Sequence, residues 1–122
     1  MNPMPSLAEE SYCYLTTTGR VSGEPREIEI WFGLEDSTLY MLSGGRDRSD
    51  WVKNLIKMPA VRVRIGDRTI EGDARVVADG EEDDRARRLL FDKYSPGYSG
   101  DLVEWRDTSL VVAVDLRPSA AD

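Results

Sequence analysis

A chain of 122 residues that is 40% hydrophobic and 32% charged has the composition of an ordinary soluble protein and room for one core rather than two. It holds no histidine, which excludes Ser-His-Asp and Cys-His catalysis and histidine-ligated zinc or haem, so no metal is expected; its net charge of −7 argues against general binding to nucleic acid, whose phosphates need a basic face. No apolar run approaches the roughly 20 residues of a membrane span, the first ten residues have neither the basic start nor the apolar centre of a secretory signal, and the lone Cys13 cannot close an internal disulfide, so a cytoplasmic home is expected.

Tyr12 to Thr18, rich in aromatic and β-branched residues, predicts a first strand that Gly19 ends. Ser22-Gly23-Glu24-Pro25 has the chemistry of a turn. From Arg26 to Phe32 the residues alternate, with Ile28, Ile30 and Phe32 on one face and Glu27, Glu29 and Trp31 on the other, the pattern of a half-buried strand. Glu35 to Thr38 turns the chain into Leu39 to Ser43, and these three strands are expected to form an antiparallel meander. After Gly44-Gly45, the cap candidates Asp47 and Ser49 and the spacing of Trp51, Leu55 and Met58 predict a short amphipathic helix that Pro59 stops. Val61, Val63 and Ile65 alternate with Arg62 and Arg64, Gly66-Asp67 turns, and Thr69 to Val77 returns as the second strand of a hairpin. Gly80 to Asp84 is the acidic start of a second helix carrying Ala86, Leu89, Leu90 and Lys93, broken at Pro96-Gly97. Leu110 to Leu116 is a last apolar strand. Residues 1–122 are expected to be one domain, with frayed tails at 1–10 and 118–122.

Six strands with two helices are too rich in sheet for a doubly wound α/β domain and predict a mainly β fold, a small closed or split β-barrel. The interior of such a barrel is filled, so a ligand must lie at its outer surface or rim. The loop from Leu15 to Arg26 offers hydroxyls, glycines, Arg20 and Arg26, all suited to an anion. Gly44-Gly45 leads to a helix start whose N–H groups favour phosphate. Gly44 to Arg64 carries six basic residues against two acidic ones, Arg46 and Arg48 among them. These features point to a phosphorylated cofactor, although the charges taken alone also describe a solvated helix face.

Leu15-Thr16-Thr17-Thr18-Gly19-Arg20, Ser22-Gly23, Pro25-Arg26, then Ser43 and Gly45, then Trp51, Asn54-Leu55, Pro59 and Val61, form an ordered series of motifs. The series resembles the deazaflavin-dependent nitroreductase family, within the split β-barrel flavin and deazaflavin oxidoreductases that include pyridoxamine phosphate oxidase. The resemblance runs from about Tyr14 to Val77 and continues weakly to Leu116. It implies a split β-barrel that binds coenzyme F420, an 8-hydroxy-5-deazaflavin, and passes hydride to a small acceptor such as a quinone, a nitroaromatic or an enone. It further implies that Arg20, Ser22 and Arg26 hold the anionic tail, that Trp31, Ser43, Gly44, Trp51 and Asn54 meet the deazaflavin ring, and that Tyr94 and Tyr98 close over the substrate. Two departures stand out. Val21 occupies a position where the family often has lysine, and the segment between Ser43 and Trp51 is short and charged, so Arg46 or Arg48 is expected to supply the missing cation.

A deazaflavin carries the hydride itself, which leaves the protein to align two π-systems and exclude water. Ser43 is the candidate nearest the reacting edge, as hydrogen-bond donor or proton relay, while a serine before Gly-Gly is equally a turn residue. Trp31 suits stacking on a flat ring or covering the second helix or a partner subunit. Trp51 shares a stripe with Leu55 and Met58, which is also the pattern of a core residue. Tyr94, Tyr98 and Trp105 surround Pro96-Gly97-Ser99-Gly100, read as a lid over the acceptor or as packing for the last strand. Two alternatives stay open: the same fold with FMN, and a barrel that holds a cofactor or lipid without catalysis. A homodimer through a sheet face is allowed but not required.

Overall fold

The computed structural model describes residues 7–117, and within them the chain forms seven strands and three complete α-helices. In chain order these are β1 (Cys13–Thr18), β2 (Pro25–Ile30), β3 (Gly33–Glu35), β4 (Thr38–Ser43), a 3-10 turn at Arg46–Arg48, α1 (Asp50–Lys57), β5 (Ala60–Ile65), β6 (Arg68–Val76), α2 (Glu81–Tyr94), a 3-10 turn at Ser95–Gly97, α3 (Val103–Thr108) and β7 (Leu110–Arg117). Of the expected tails at 1–10 and 118–122, residues 1–6 and 118–122 lie outside the described residues, while in 7–10 the Glu10 N–H donates to the Leu7 carbonyl at 3.1 Å. Leu7 packs against the core.

All the strands pair antiparallel in one sheet of order β2-β1-β5-β6-β7-β4-β3, which curls as a split barrel. This corrects the expected meander. β2 pairs with β1, but β4 lies at the other side of the sheet, between β3 and β7. The reason is a break at Trp31-Phe32: the Phe32 side chain is fully buried and its N–H is taken by the Tyr94 hydroxyl at 2.9 Å, so the chain leaves one sheet edge and restarts at the opposite one. Gly33 permits the restart, because a Cβ there would stand 2.8 Å from the Leu89 side chain of α2. A seventh strand, β3, and a third helix, α3, add to the six strands and two helices read from the sequence.

The alternation in the sequence sets two apolar layers. Cys13, Leu15, Val61, Val63, Ile65, Ile70, Leu39, Met41, Val112 and Val114 fill the inside of the curl, and α1 closes one end with Val52 and Leu55. On the outer side, Tyr40, Leu42, Val111 and Ala113 are covered by Ala86 and Leu90 of α2, with Trp105 of α3 packed against them. β4 and β7 are therefore buried on both faces. Met58, expected on the inner stripe of α1, lies past the helix end and is exposed. No helix among the described residues is long and apolar enough to cross a membrane.

Arg75 on β6 fastens α2 to the sheet. Its guanidinium donates to both carboxylate oxygens of Glu82, at 2.8 and 2.7 Å, and to Asp115 at 2.8 and 3.1 Å, while the Tyr40 hydroxyl donates to Glu82 at 2.7 Å. Hydrogen bonds from Arg75, then from Tyr40, hold the Glu82 carboxyl down at about 2. A depressed carboxylate stabilises the fold above its ordinary value of 4.5 and loses that contribution as pH falls toward 2. Glu82→Gln is expected to lower stability at pH 7 by about 1 kcal/mol, the pair being partly screened by solvent; urea unfolding at a series of pH values should show the difference from wild type shrinking below pH 4.5.

Candidate functional site

The loop between β1 and β2 closes on itself. The Gly19 N–H donates to the Glu24 carbonyl and the Gly23 N–H to the Gly19 carbonyl, both at 2.8 Å. A Cβ on Gly19 would lie 2.6 Å from Ser22 Oγ and 3.3 Å from the Glu24 carbonyl oxygen, so a side chain there would displace the Ser22 hydroxyl.

α1 then fixes the loop in place. The Asn54 side chain is buried, and its Oδ1 accepts the Arg20 N–H at 3.1 Å and Arg20 Nη1 at 2.8 Å, while Nδ2 donates to Thr17 Oγ1 at 3.3 Å. One turn earlier, Asp50 Oδ1 takes Arg20 Nη2 at 3.2 Å; near the helix end, Lys57 Nζ donates to the Arg20 carbonyl at 3.3 Å. Residues three and four apart on a helix share a face, so Asp50, Asn54 and Lys57 all meet the same loop.

Beside this junction runs a groove of about 620 Å³, with Thr17, Arg20, Ser22, Arg26, Ile28 and Trp51 in its lining. Arg26 Nη2 stands 3.5 Å from Ser22 Oγ, which also accepts the Glu24 N–H at 3.1 Å. Among the described residues no carboxylate pairs with Arg26. Guanidinium and hydroxyl groups stand next to Ile28 and a half-buried indole, a set that fits a ligand with an anionic arm and a flat apolar body. Five of the expected cofactor residues, Arg20, Ser22, Arg26, Trp51 and Asn54, thus come together. Asp50, Ile28 and Lys57 belong to the same assembly and were not assigned to it from the sequence, and Thr17 was read only as part of the loop motif; the Asp50-Asn54 spacing on a helix was the available signal.

The remaining expected residues stand apart from that groove. Ser43 is buried at the end of β4, where its hydroxyl donates to the Arg46 carbonyl at 2.9 Å and lies 3.0 Å from Ser49 Oγ, tying the strand to the residue that precedes α1. Gly44 and Gly45 are exposed. Arg46 has a left-handed backbone, φ 55°, and its guanidinium donates to the Thr108 carbonyl. With Asp47, Ile56, Pro59, Arg75, Val76 and Leu110, Arg46 lines a second groove of about 570 Å³ along the other edge of α1. Arg48 is exposed and lines neither groove. The cation expected from this segment is therefore turned away from Arg20 and Arg26, and α1 separates the two grooves.

A third group forms an aromatic box. Trp31 stacks on Tyr94 at 4.2 Å and 5° between planes, and meets Tyr98 and Trp105 edge-on at 5.9 and 5.5 Å. The Tyr94 hydroxyl accepts the Phe32 N–H and donates to the Ser11 carbonyl at 2.8 Å; burial pushes it up to about 12. Lys93 Nζ donates to the Phe32 carbonyl at 3.0 Å and lies 3.7 Å from the centre of the Phe32 ring, and burial brings its ammonium down to about 8. Tyr98 is 47% exposed, and its hydroxyl has no hydrogen bond among the described residues.

The family model for F420H2-dependent quinone reductase matches residues 5–117. No curated relative matches the chain. Among solved structures the chain is similar to an F420-H2 dependent reductase, at 24% identity over 85% of this chain and 93% of that one, with a TM-score of 0.69. It is similar to a pyridoxamine 5′-phosphate oxidase-like protein from Listeria innocua, at 17% identity over 94% and 90% of the two chains, TM-score 0.68. It is also similar to a domain-swapped dimer, at 27% identity over 85% and 79%, TM-score 0.69.

Asn54→Ala removes three hydrogen bonds at a buried position and is expected to cost about 2 kcal/mol in urea unfolding. Asn54→Asp keeps the acceptor for Arg20 and loses the donor to Thr17, so it should fall between the two.

Proposed function

The chain belongs to the F420H2-dependent quinone reductase family and is an F420-dependent oxidoreductase, and from that premise we propose that it passes hydride from reduced coenzyme F420 to a small apolar acceptor, quinones first and nitroaromatics or enones of similar shape second. The observation that carries the site assignment is the groove in which Arg20, Ser22 and Arg26 stand next to Ile28 and Trp51. In this reading Arg26 and Ser22 bind the anionic oxygens of the cofactor tail, and Arg20, held in place by Asn54, adds a second guanidinium. Ile28 and Trp51 provide an apolar wall that orients the ring and keeps water from it. The bound deazaflavin supplies the hydride.

A reduced quinone also needs a proton, and the three candidate hydroxyls differ in what they already hold. Ser43 donates to the Arg46 carbonyl and Tyr94 to the Ser11 carbonyl, whereas the Tyr98 hydroxyl is uncommitted at the open edge of the aromatic box. We assign proton delivery to Tyr98, for an acceptor that reaches from the ring beside Ile28 along β2 to the aromatic box, and a positioning role to Tyr94, whose ring stacks on Trp31. Of the alternatives, FMN lacks support from the family match, and a barrel without catalysis would bind the cofactor but turn over no acceptor.

Titration with F420 followed by fluorescence is expected to give micromolar or tighter binding, and Arg26→Ala should weaken it about tenfold or more while costing under about 1 kcal/mol of stability. With F420H2 and menadione, Tyr98→Phe should lower kcat by about a hundredfold with cofactor affinity unchanged. Absence of binding at micromolar F420 would remove the assignment.

A further inference from the structure

Among the described residues that line the cationic groove, Asp50 is the only one that carries a carboxylate. Its side chain is 86% exposed, yet Oδ1 holds Arg20 Nη2 at 3.2 Å, and the Arg20 guanidinium also reaches the Asp50 carbonyl through Nη1 at 3.4 Å. Asp50 is the first residue of α1, where the helix N–H groups also favour negative charge. An anion entering the groove thus meets a guanidinium that is already paired and a helix start that is already matched.

Resting on the reading that this groove takes the anionic tail of the cofactor, we propose that Asp50 is a built-in competitor for that tail. It holds one edge of Arg20 in the free protein, gives it up when a phosphate or carboxylate oxygen of the tail arrives, and reclaims it as the tail leaves. Arg20 keeps its place throughout, because Nη1 and the backbone N–H stay on Asn54 Oδ1. The cost to affinity is the exchange of one exposed ion pair, which is modest. The gain is release: the oxidised carrier must depart to be reduced by a separate reaction, and a carboxylate waiting at the guanidinium shortens its stay. Repulsion from Asp50 also disfavours tails of higher negative charge.

The test measures Kd and the dissociation rate for F420 in wild type, Asp50→Asn and Arg26→Ala, each over a series of salt concentrations. Asp50→Asn is expected to bind about fivefold more tightly at low salt, chiefly through slower release, with the advantage shrinking as salt rises. Asp50→Ser, which keeps an oxygen in the first helical turn, should behave alike and separates the charge effect from helix stability. If both Asp50 variants bind as wild type or more weakly while Arg26→Ala loses affinity, the groove assignment stands and the competitor role is overturned. If none of the variants changes Kd, the groove assignment itself falls and the competitor role with it.

Discussion

The carboxamide of Asn54 joins α1 to the loop between β1 and β2, and the placing of Arg20 against Asp50 in the cationic groove follows from that junction. A buried amide must satisfy its hydrogen bonds, and Asn54 does so with the backbone and guanidinium of Arg20 and the hydroxyl of Thr17. The loop is thereby held as part of the scaffold. Its glycines close the turn, Ser22 and Arg26 project beside it, and α1 contributes Asp50 and Trp51 to the opposite wall. An anion site built this way is preorganised, because the arginine nearest the helix loses little further freedom on binding.

The barrel makes that junction rigid from behind. α1 inserts Val52 and Leu55 into the inner core, while Asn54 and Trp51 look toward the loop, so one short helix is both plug and wall. β4 and β7, buried on both faces, anchor α2 through Tyr40, Val111 and Ala113, and the Arg75 clamp fixes the start of α2 to the same strands. The far end of α2 then delivers Tyr94 to the break between β2 and β3, which sets Trp31 in its box. Groove and box thus rest on one sheet, at opposite ends of β2.

Much of this was legible in the residues. Val61, Val63 and Ile65 against Arg62 and Arg64 give β5 and its facing without ambiguity, and Gly66-Asp67 gives the hairpin. Strand pairing was less legible: β4 is apolar on both faces, so nothing in its pattern says whether β2 or β7 is its neighbour. α3 has six residues and too little periodicity to be seen. Trp31 was assigned to the face of Glu27 and Glu29 by alternation, but β2 ends at Ile30 and the period stops with it. The Thr-Gly-Arg loop pointed to residues that line one groove, whereas the bonds of Asn54 to Arg20 and Thr17 were hidden, since a sequence cannot show which loop a helix side chain holds. Arg46 shows the same limit: proximity in the chain suggested a shared pocket, and a left-handed backbone turns its guanidinium to Thr108 instead.

The most direct measurement is a crystal structure of the protein with F420 bound. The anionic tail should lie along the β1–β2 loop with its oxygens within hydrogen-bond reach of Arg26 and Ser22, Asn54 still bonded to Arg20 and the ring against Trp51. A tail seated instead in the second groove, beside Arg46 and Val76, or an Asn54 released from Arg20 to contact the cofactor, would contradict the account.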